Sequence, residues 1–590
     1  MRRVRLVATA LGAVALTATF AAAATADSDK KDGYVTSQDS MLTMAAGLPD
    51  AVPIITVGDV LPSGYRFEAI PDGLAVWGAG NGDRDSDAAR GGGKRFDLFV
   101  NHETSTVAFP YGPTSSPSVP PTKDNSQNDF ENSQLARLTI SGDMEVLDGD
   151  FAIASTAGFH RFCSNYIVSG PEGFNRPILF TNEEATDWVD RDGQWLTTNP
   201  AGTAGTEQLG LVVAYDIKDG TYKPIYGMGR HNHENAVGLR RYGHPVVLSG
   251  DDTFSAPASQ LYLYTAPSAT ALLTDAYSSG SQTTYSPLNQ RLWAFRANDS
   301  NDADAIAEND YGDLLPGETV SGSFIPVPEA TAKGNQSELE SWSNSNNVFQ
   351  FIRVEDIAPD RKDPNVVYFA DTGEPRALQH ATDPATNRLS RGPSGTTGPY
   401  PNGRIFKMVL DEKDPTKVLE LSVLLNADPG GYFSTGSNPT PEAWRSAMHN
   451  PDNIETTEDS LLIQEDPGSH SNIVGETTAR IWLFDLGSPV GSSNPKVVAS
   501  VDQSADGGLT DEPATLTTAA SPAGRPGSWE SSGIVDASSV LGKGWFLTTV
   551  QAHTLWVDTA PGLDVLAPAG PDWTYKREGG QLLAIKIPGA

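Results

Sequence analysis

The chain of 590 residues holds one cysteine, Cys163, so no disulfide can form within it. Basic residues are scarce. Forty-one Lys and Arg stand against 74 Asp and Glu, a net charge of −33. Nucleic acid and anionic membrane surfaces are poor partners for such a chain. The nine histidines form no H-E-x-x-H pair, and no G-x-S-x-G elbow is present, which argues against a serine esterase. The Gly-rich "GGGKRF" of 91–96 lacks the P-loop spacing. After residue 26 no stretch approaches the ~18 apolar residues that a spanning helix needs. Sustained helical periodicity is rare.

What is present begins with an export signal. Arg2, Arg3 and Arg5 form a basic start, 6–23 are apolar or small, and Ala24-Thr25-Ala26 fits a small-x-small cleavage site. Residues 1–26 therefore read as a signal peptide. Arg2-Arg3 permits twin-arginine export, and Sec export fits equally. The expected destination is the cell envelope or the medium, with no integral membrane segment after cleavage. Cleavage removes three arginines and no acid, leaving a charge of −36. An anionic substrate is repelled by such a chain unless local cations, metal ions among them, override its field. Residues 27–59 read as an N-terminal extension and 60–590 as a single domain, expected to be a monomer.

With 57 Gly and 42 Pro, the remainder reads as short Val/Ile/Leu/Phe/Tyr strands broken by Gly, Pro, Asn and Asp clusters. Four passages share one shape: 232–253, 353–374, 450–470 and 530–553. In each an acidic or amide residue precedes a short strand, a turn follows, and a second apolar strand ends in a polar cluster. Residues 162–185 and 70–105 fit more loosely, with Cys163 and Asp72 at the opening position. Six such hairpins are expected of an all-β, six-bladed β-propeller with loop and short-helix insertions. A pair of β-sandwich sheets is the alternative. In a propeller, the opening residues Asp72, Cys163, Glu234, Glu355, Asp452 and Glu530 converge on one mouth of the channel. The closing clusters add Glu103, Glu183, Glu184, Asp251, Asp252, Asp371, Glu465, Asp466 and His553.

Carboxylates gathered so closely raise one another's pKa, and hard cations relieve the strain. Calcium suits carboxylate and amide oxygens. One thiolate among them favours a transition metal, iron or zinc, at its end of the cluster. A small buried apolar residue is the other reading of Cys163.

"RFCS", "TNEEA", "HENAV", "SGDD", "RVEDIAPDRKDPNVVYFADTGE", "PDNI", "LIQEDPG" and "ESSGI" followed by "VQAH" resemble the PhoX-type alkaline phosphatases, in order, from about residue 60 to 588. The resemblance implies an exported six-bladed propeller that hydrolyses small phosphate esters with an iron–calcium cluster. It implies Cys163 as an iron-binding thiolate, and Glu183, Glu184, Glu234, Glu355, Asp452 and Asn453 as further metal ligands. Arg353 corresponds to the phosphate-gripping arginine, and Arg353, Glu355 and Cys163 are expected to carry catalysis. Two departures stand out. Asn182 occupies a position where the family commonly has Cys. The family's lysine just before the thiolate is missing, and Arg161 is the cation nearby that can take its place at the substrate. Two other functions stay open at this stage: a calcium lactonase or esterase, which needs no thiolate, and a calcium-stabilised propeller that binds without catalysis.

Overall fold

The computed structural model describes residues 33–68, 70–78, 95–103, 133–190, 194–195, 206–253, 259–278, 284–298, 310–373, 377–379, 389–391, 402–428, 446–467, 477–487, 495–503, 529–557 and 575–590. The signal peptide assigned to 1–26 lies outside these residues. The protein is mostly β, with antiparallel pairing throughout its named strands and a few short helices such as Gln336–Ser345.

Each of the six hairpins heads a run of four hydrogen-bonded strands. The first run is Pro71–Gly78, Arg95–His102, Gln134–Ser141 and Val146–Ile153. The second starts with Phe162–Val168 and Ile178–Glu183. The third starts with His233–Gly238 and Val246–Asp251, and the fourth with Val354–Pro359 and Val366–Asp371. Strand Thr319–Pro326 joins the outer edges of these two into one sheet of nine strands. The fifth starts with Pro451–Thr456 and Ser460–Glu465, the sixth with Glu530–Asp536 and Trp545–Val557.

Two strands come from the segment read as an extension. Leu42–Met44 adds to the outer edge of the fifth sheet, and Val52–Thr56 completes the sixth beside Tyr575–Lys586. The first strands of the six runs touch one another in a ring that follows chain order, the sixth closing on the first.

Apolar cores fill the spaces between successive sheets. Trp77 and Phe99 of the first pack with Phe162 and Leu179 of the second. Leu248 and Phe295 of the third pack with Phe369 and Phe406 of the fourth. Strands Ile178–Glu183, Val246–Asp251, Val366–Asp371 and Ser460–Glu465 are buried at every position. A strand covered on both faces reads as a continuous apolar run rather than as alternation, which explains "ILFT", "VVLS" and "VVYFA".

All six first strands carry the same irregularity. Each advances three residues while its neighbour advances two: Pro71 to Leu74, Phe162 to Asn165, His233 to Ala236, Val354 to Ile357, Pro451 to Ile454 and Ser531 to Ile534. This is a one-residue bulge, a device that re-aims side chains. Its first residues are Asp72, Cys163, Glu234, Glu355, Asp452 and Ser532, six equivalent places at one end of the ring.

The bulges crowd the ring, and glycine relieves the tightest contact. A Cβ on Gly533 would lie 2.3 Å from the carbonyl oxygen of Asp72. Gly533→Ala is therefore expected to destabilise the protein by about 1–3 kcal/mol, as overpacking does. Denaturant unfolding measures it, and an unchanged midpoint would show that the ring gives way easily.

Candidate metal centre

The bulges deliver the candidate site. Cys163, Glu184 and Glu234 each place a ligand atom within 4.8 Å of the others. Glu234, Glu355 and Asp452 form a second such group, and Asp452, Asp466 and Glu530 a third. Glu234 and Asp452 are shared, so the three groups form one chain of donors with the thiol towards one end. Cys163 is buried, 9% exposed, as are Glu234, Glu355, Asp452 and Glu530.

Protonation follows from crowding. Burial first, then Asp72, Glu234, Glu184 and Glu103, holds the Cys163 thiol well above its ordinary pKa. Without a cation beside it this thiol stays protonated. Burial and the charge of Asp72 push Glu234 up, against hydrogen bonds from Cys163 and Ser164 that pull it down. Burial leads again for Glu355, followed by Asp252, with Arg353 opposing. For Asp452, burial is joined by Glu234, Glu530 and Asp466. Asp72, buried beside Glu103, rises to about 6.

The donor set fits cations. Glu234 Oε2 and Asp452 Oδ1 are buried with no hydrogen-bond partner among the described residues, and an orphaned buried carboxylate oxygen is costly unless something positive faces it. The other oxygen of Glu234 accepts from Ser164 Oγ at 2.7 Å, and Ser164 Oγ also accepts from Asn453 Nδ2 at 2.9 Å. Asn453 thus stands behind Glu234, holding the serine that orients it.

Glu183 departs from the expected ligand set. Its carboxylate accepts the backbone N–H groups of His160 at 3.2 Å and Leu211 at 3.3 Å. The next residue, Glu184, just past the strand end, places a ligand atom in the centre, while the Glu183 carboxylate serves these backbone groups. The other closing doublets divide in the same way. Asp251 accepts Thr253 N at 3.1 Å, and Glu465 accepts His449 N at 2.8 Å and pairs with Arg480. The second members, Asp252 and Asp466, approach the centre. Asp371 accepts Ile352 N at 2.9 Å and Arg353 N at 3.2 Å, pinning the start of its first strand.

Both arginines lie at the centre. Arg353 pairs side-on with Asp252, Nε to Oδ1 at 2.6 Å and Nη2 to Oδ2 at 2.5 Å, and reaches Glu355 at 3.1 Å. Burial works against its charge, but Asp252 and Glu355 outweigh that and raise its pKa further. Arg161 is opposed by burial too, and the carboxylates Glu103, Glu184 and Asp187 hold it charged. Its backbone is left-handed, φ 48°, and its carbonyl accepts Glu184 N at 2.9 Å. Such strain in a residue other than Gly persists where the surroundings enforce it. Asn182 sends its amide to the carbonyl of Ser164 at 3.0 Å and joins neighbouring strands.

The fold and centre define a mostly β protein with a buried thiol–carboxylate cluster flanked by two arginines. Residues 183–505, more than half of the chain, match the model of alkaline phosphatase PhoX, and the chain belongs to that family. No curated protein matches it. Among solved structures it is similar to a provisionally assigned 6-phosphogluconolactonase from Bacteroides fragilis NCTC 9343. That likeness has 9% identity and a TM-score of 0.20, covering 61% of this chain and 89% of that one. So slight a likeness carries no argument about fold or activity.

Proposed function

We propose that the protein is an exported phosphoric monoester hydrolase, an alkaline phosphatase that holds calcium and iron at one mouth of a six-bladed β-propeller and acts as a monomer on small phosphate esters. The observation that carries this reading is the buried chain of donors with one thiol in it and Arg353 against it, in a chain of the PhoX family. The ring of first strands with its repeated bulge supports the propeller. Among the described residues no helix is long and apolar enough to cross a membrane.

Cys163, Glu184 and Glu234 would hold the cation that prefers a soft donor, iron in this reading. Glu234, Glu355 and Asp452, then Asp452, Asp466 and Glu530, offer oxygen donors alone and suit calcium. When bound, such cations supply charge neutralisation and Lewis acidity towards a phosphate ester. The rest is the work of the side chains. Arg353 holds a planar, permanently charged guanidinium beside Glu355, where it adds positive charge for a phosphoryl group. Arg161 adds charge beside Glu184. Ser164 and Asn453 fix Glu234, and Asp371 fixes the backbone of Arg353, so these groups meet a substrate without rearranging. The cations also answer the charge of the chain, since an anionic ester meets positive charge locally on a protein that is negative overall.

Elemental analysis of the exported protein, with turnover of p-nitrophenyl phosphate, tests the reading. Iron with calcium, and hydrolysis, are expected. Calcium alone with no hydrolysis overturns it in favour of a propeller that binds.

A further inference from the structure

The ring of first strands has a second mouth. The metal centre sits where these strands begin. Past the bulges they run on to a cavity of 360 Å³, lined by the later residues of all six. Its inner end is polar: Asn235 Nδ2 donates to Asp356 Oδ1, and Asp356 Oδ2 accepts Ile454 N at 3.0 Å. Nearer the solvent, Arg240 Nε pairs with Glu172 at 3.0 Å and Arg361 Nη2 with Glu455 at 2.7 Å. Tyr166 lines the same space, and the charges of both pairs act on its hydroxyl. Asn165, 6% exposed, lines it too, and its Oδ1 is buried with no hydrogen-bond partner among the described residues. None of these residues belongs to the three groups of donors that make up the metal centre.

We infer that this second mouth binds a small organic cation carrying two or more ammonium groups. Charge sets the sign of the ligand. Five carboxyl groups line the cavity against two guanidiniums, and each guanidinium already has a glutamate. Asp536 adds its charge beside the Arg361 pair, where its N–H donates to Glu455 Oε2 at 3.2 Å. An anion is repelled by such a lining and a cation is drawn in. Spacing sets the kind of cation. Among the described residues, no three of these carboxyl groups bring ligand atoms within 4.8 Å of one another, as those of the centre do. A single metal ion, which needs its oxygens gathered at 2.0–2.6 Å or so, cannot collect them. A carbon skeleton with separate N–H donors reaches several at once. The oxygen of Asn165 and the carboxylates are all acceptors, which such donors satisfy. The volume lies within the range of small-molecule sites, about 300–1,000 Å³.

Calorimetric titration of spermidine into the full chain tests the inference, with excess calcium present to occupy the carboxylates of the metal centre. One spermidine per chain is expected, bound more weakly as salt is raised. Asp536→Asn keeps the acceptor that Ser538 N uses and removes one charge. It should weaken binding roughly three- to tenfold. Arg240→Gln removes the partner of Glu172 and should tighten binding by a similar factor. Tightening cannot come from a damaged fold, so the two variants together separate charge from stability. Glucose, a neutral molecule rich in hydroxyl groups, should not bind. Absence of spermidine binding, equal affinity in the wild type and both variants, or binding of glucose in its place overturns the inference. The phosphatase reading stands or falls separately, because it concerns the other mouth.

Discussion

Cys163→Ser is expected to strip iron and phosphoester turnover from the protein together, while calcium and the folded state remain. Serine nearly matches cysteine in size, and the thiol lies in a polar setting between Asp72 and Glu234, so the packing change is small. The chemical change is large. A thiol can lose its proton to a neighbouring cation and then bind it as a soft anion. A serine hydroxyl stays neutral and hard. The group formed by Glu234, Glu355 and Asp452 does not include Cys163 and should keep its cation. Turnover should drop by about 10²–10³-fold, the scale of removing one preorganised electrostatic element from a transition state. Metal analysis and steady-state kinetics on the same preparation give the answer. Glu183→Gln is the control, since that carboxylate serves backbone N–H groups rather than the centre. Wild-type iron and turnover in Cys163→Ser would reduce the cysteine to a packed side chain.

Removing the cations should lower the melting temperature and reverse its dependence on pH. An ion present at about 1,000 times its Kd contributes about 4 kcal/mol. On a chain of this length that is about 3–4 °C, so three ions amount to roughly 10 °C. The pH dependence follows from the buried carboxyls. Asp72 is raised from 3.8 to about 6, first by burial and then by Glu103, and Glu184, Glu234, Glu355 and Asp452 are raised well above their ordinary values, by burial first. An acid whose pKa is higher in the folded state keeps that state proton-rich. Its stabilising contribution is whole below the unfolded value and is lost as pH climbs through the folded one. The stripped protein should therefore lose stability from pH 3.8 through about 6 and beyond. The loaded protein needs these carboxylates ionised, so acid expels its ions and stability falls in the other direction. The quantity to read is the difference between the two melting curves across pH. A chelator that leaves the melting temperature untouched, or two parallel curves, would count against a cation-held centre.

Much of this was legible in the residues themselves. Strand-and-turn punctuation announced a β protein, because Gly, Pro and Asx clusters interrupt apolar runs too short for helices. The hairpins could be counted because each opens on a polar residue before a strand and closes on an acidic or amide cluster after one. The lone thiol in line with those acids pointed to a mixed donor set. Cys163, Glu184, Glu234, Glu355 and Asp452 are brought together.

Three things needed the tertiary structure. The doublets Glu183-Glu184, Asp251-Asp252 and Glu465-Asp466 look symmetrical in sequence, yet one member secures backbone or a strand end and the other faces the centre. The first member ends the strand and the second lies one residue past it, and where the strand ends is set by pairing with neighbours far along the chain. The bulge that aims Cys163 and its counterparts leaves no mark that residue types alone reveal, because it is a mismatch between two strands and not a property of one. It also placed Ser532, rather than Glu530, at the sixth equivalent position, while Glu530 enters the centre from the place that Arg161 and Arg353 hold in their own units. Last, the chain alone could identify Arg353 as a cation but not its grip by Asp252, about a hundred residues earlier. Short-range chemistry is written in the order of the residues. Which charges meet is decided by how the sheets close into a ring.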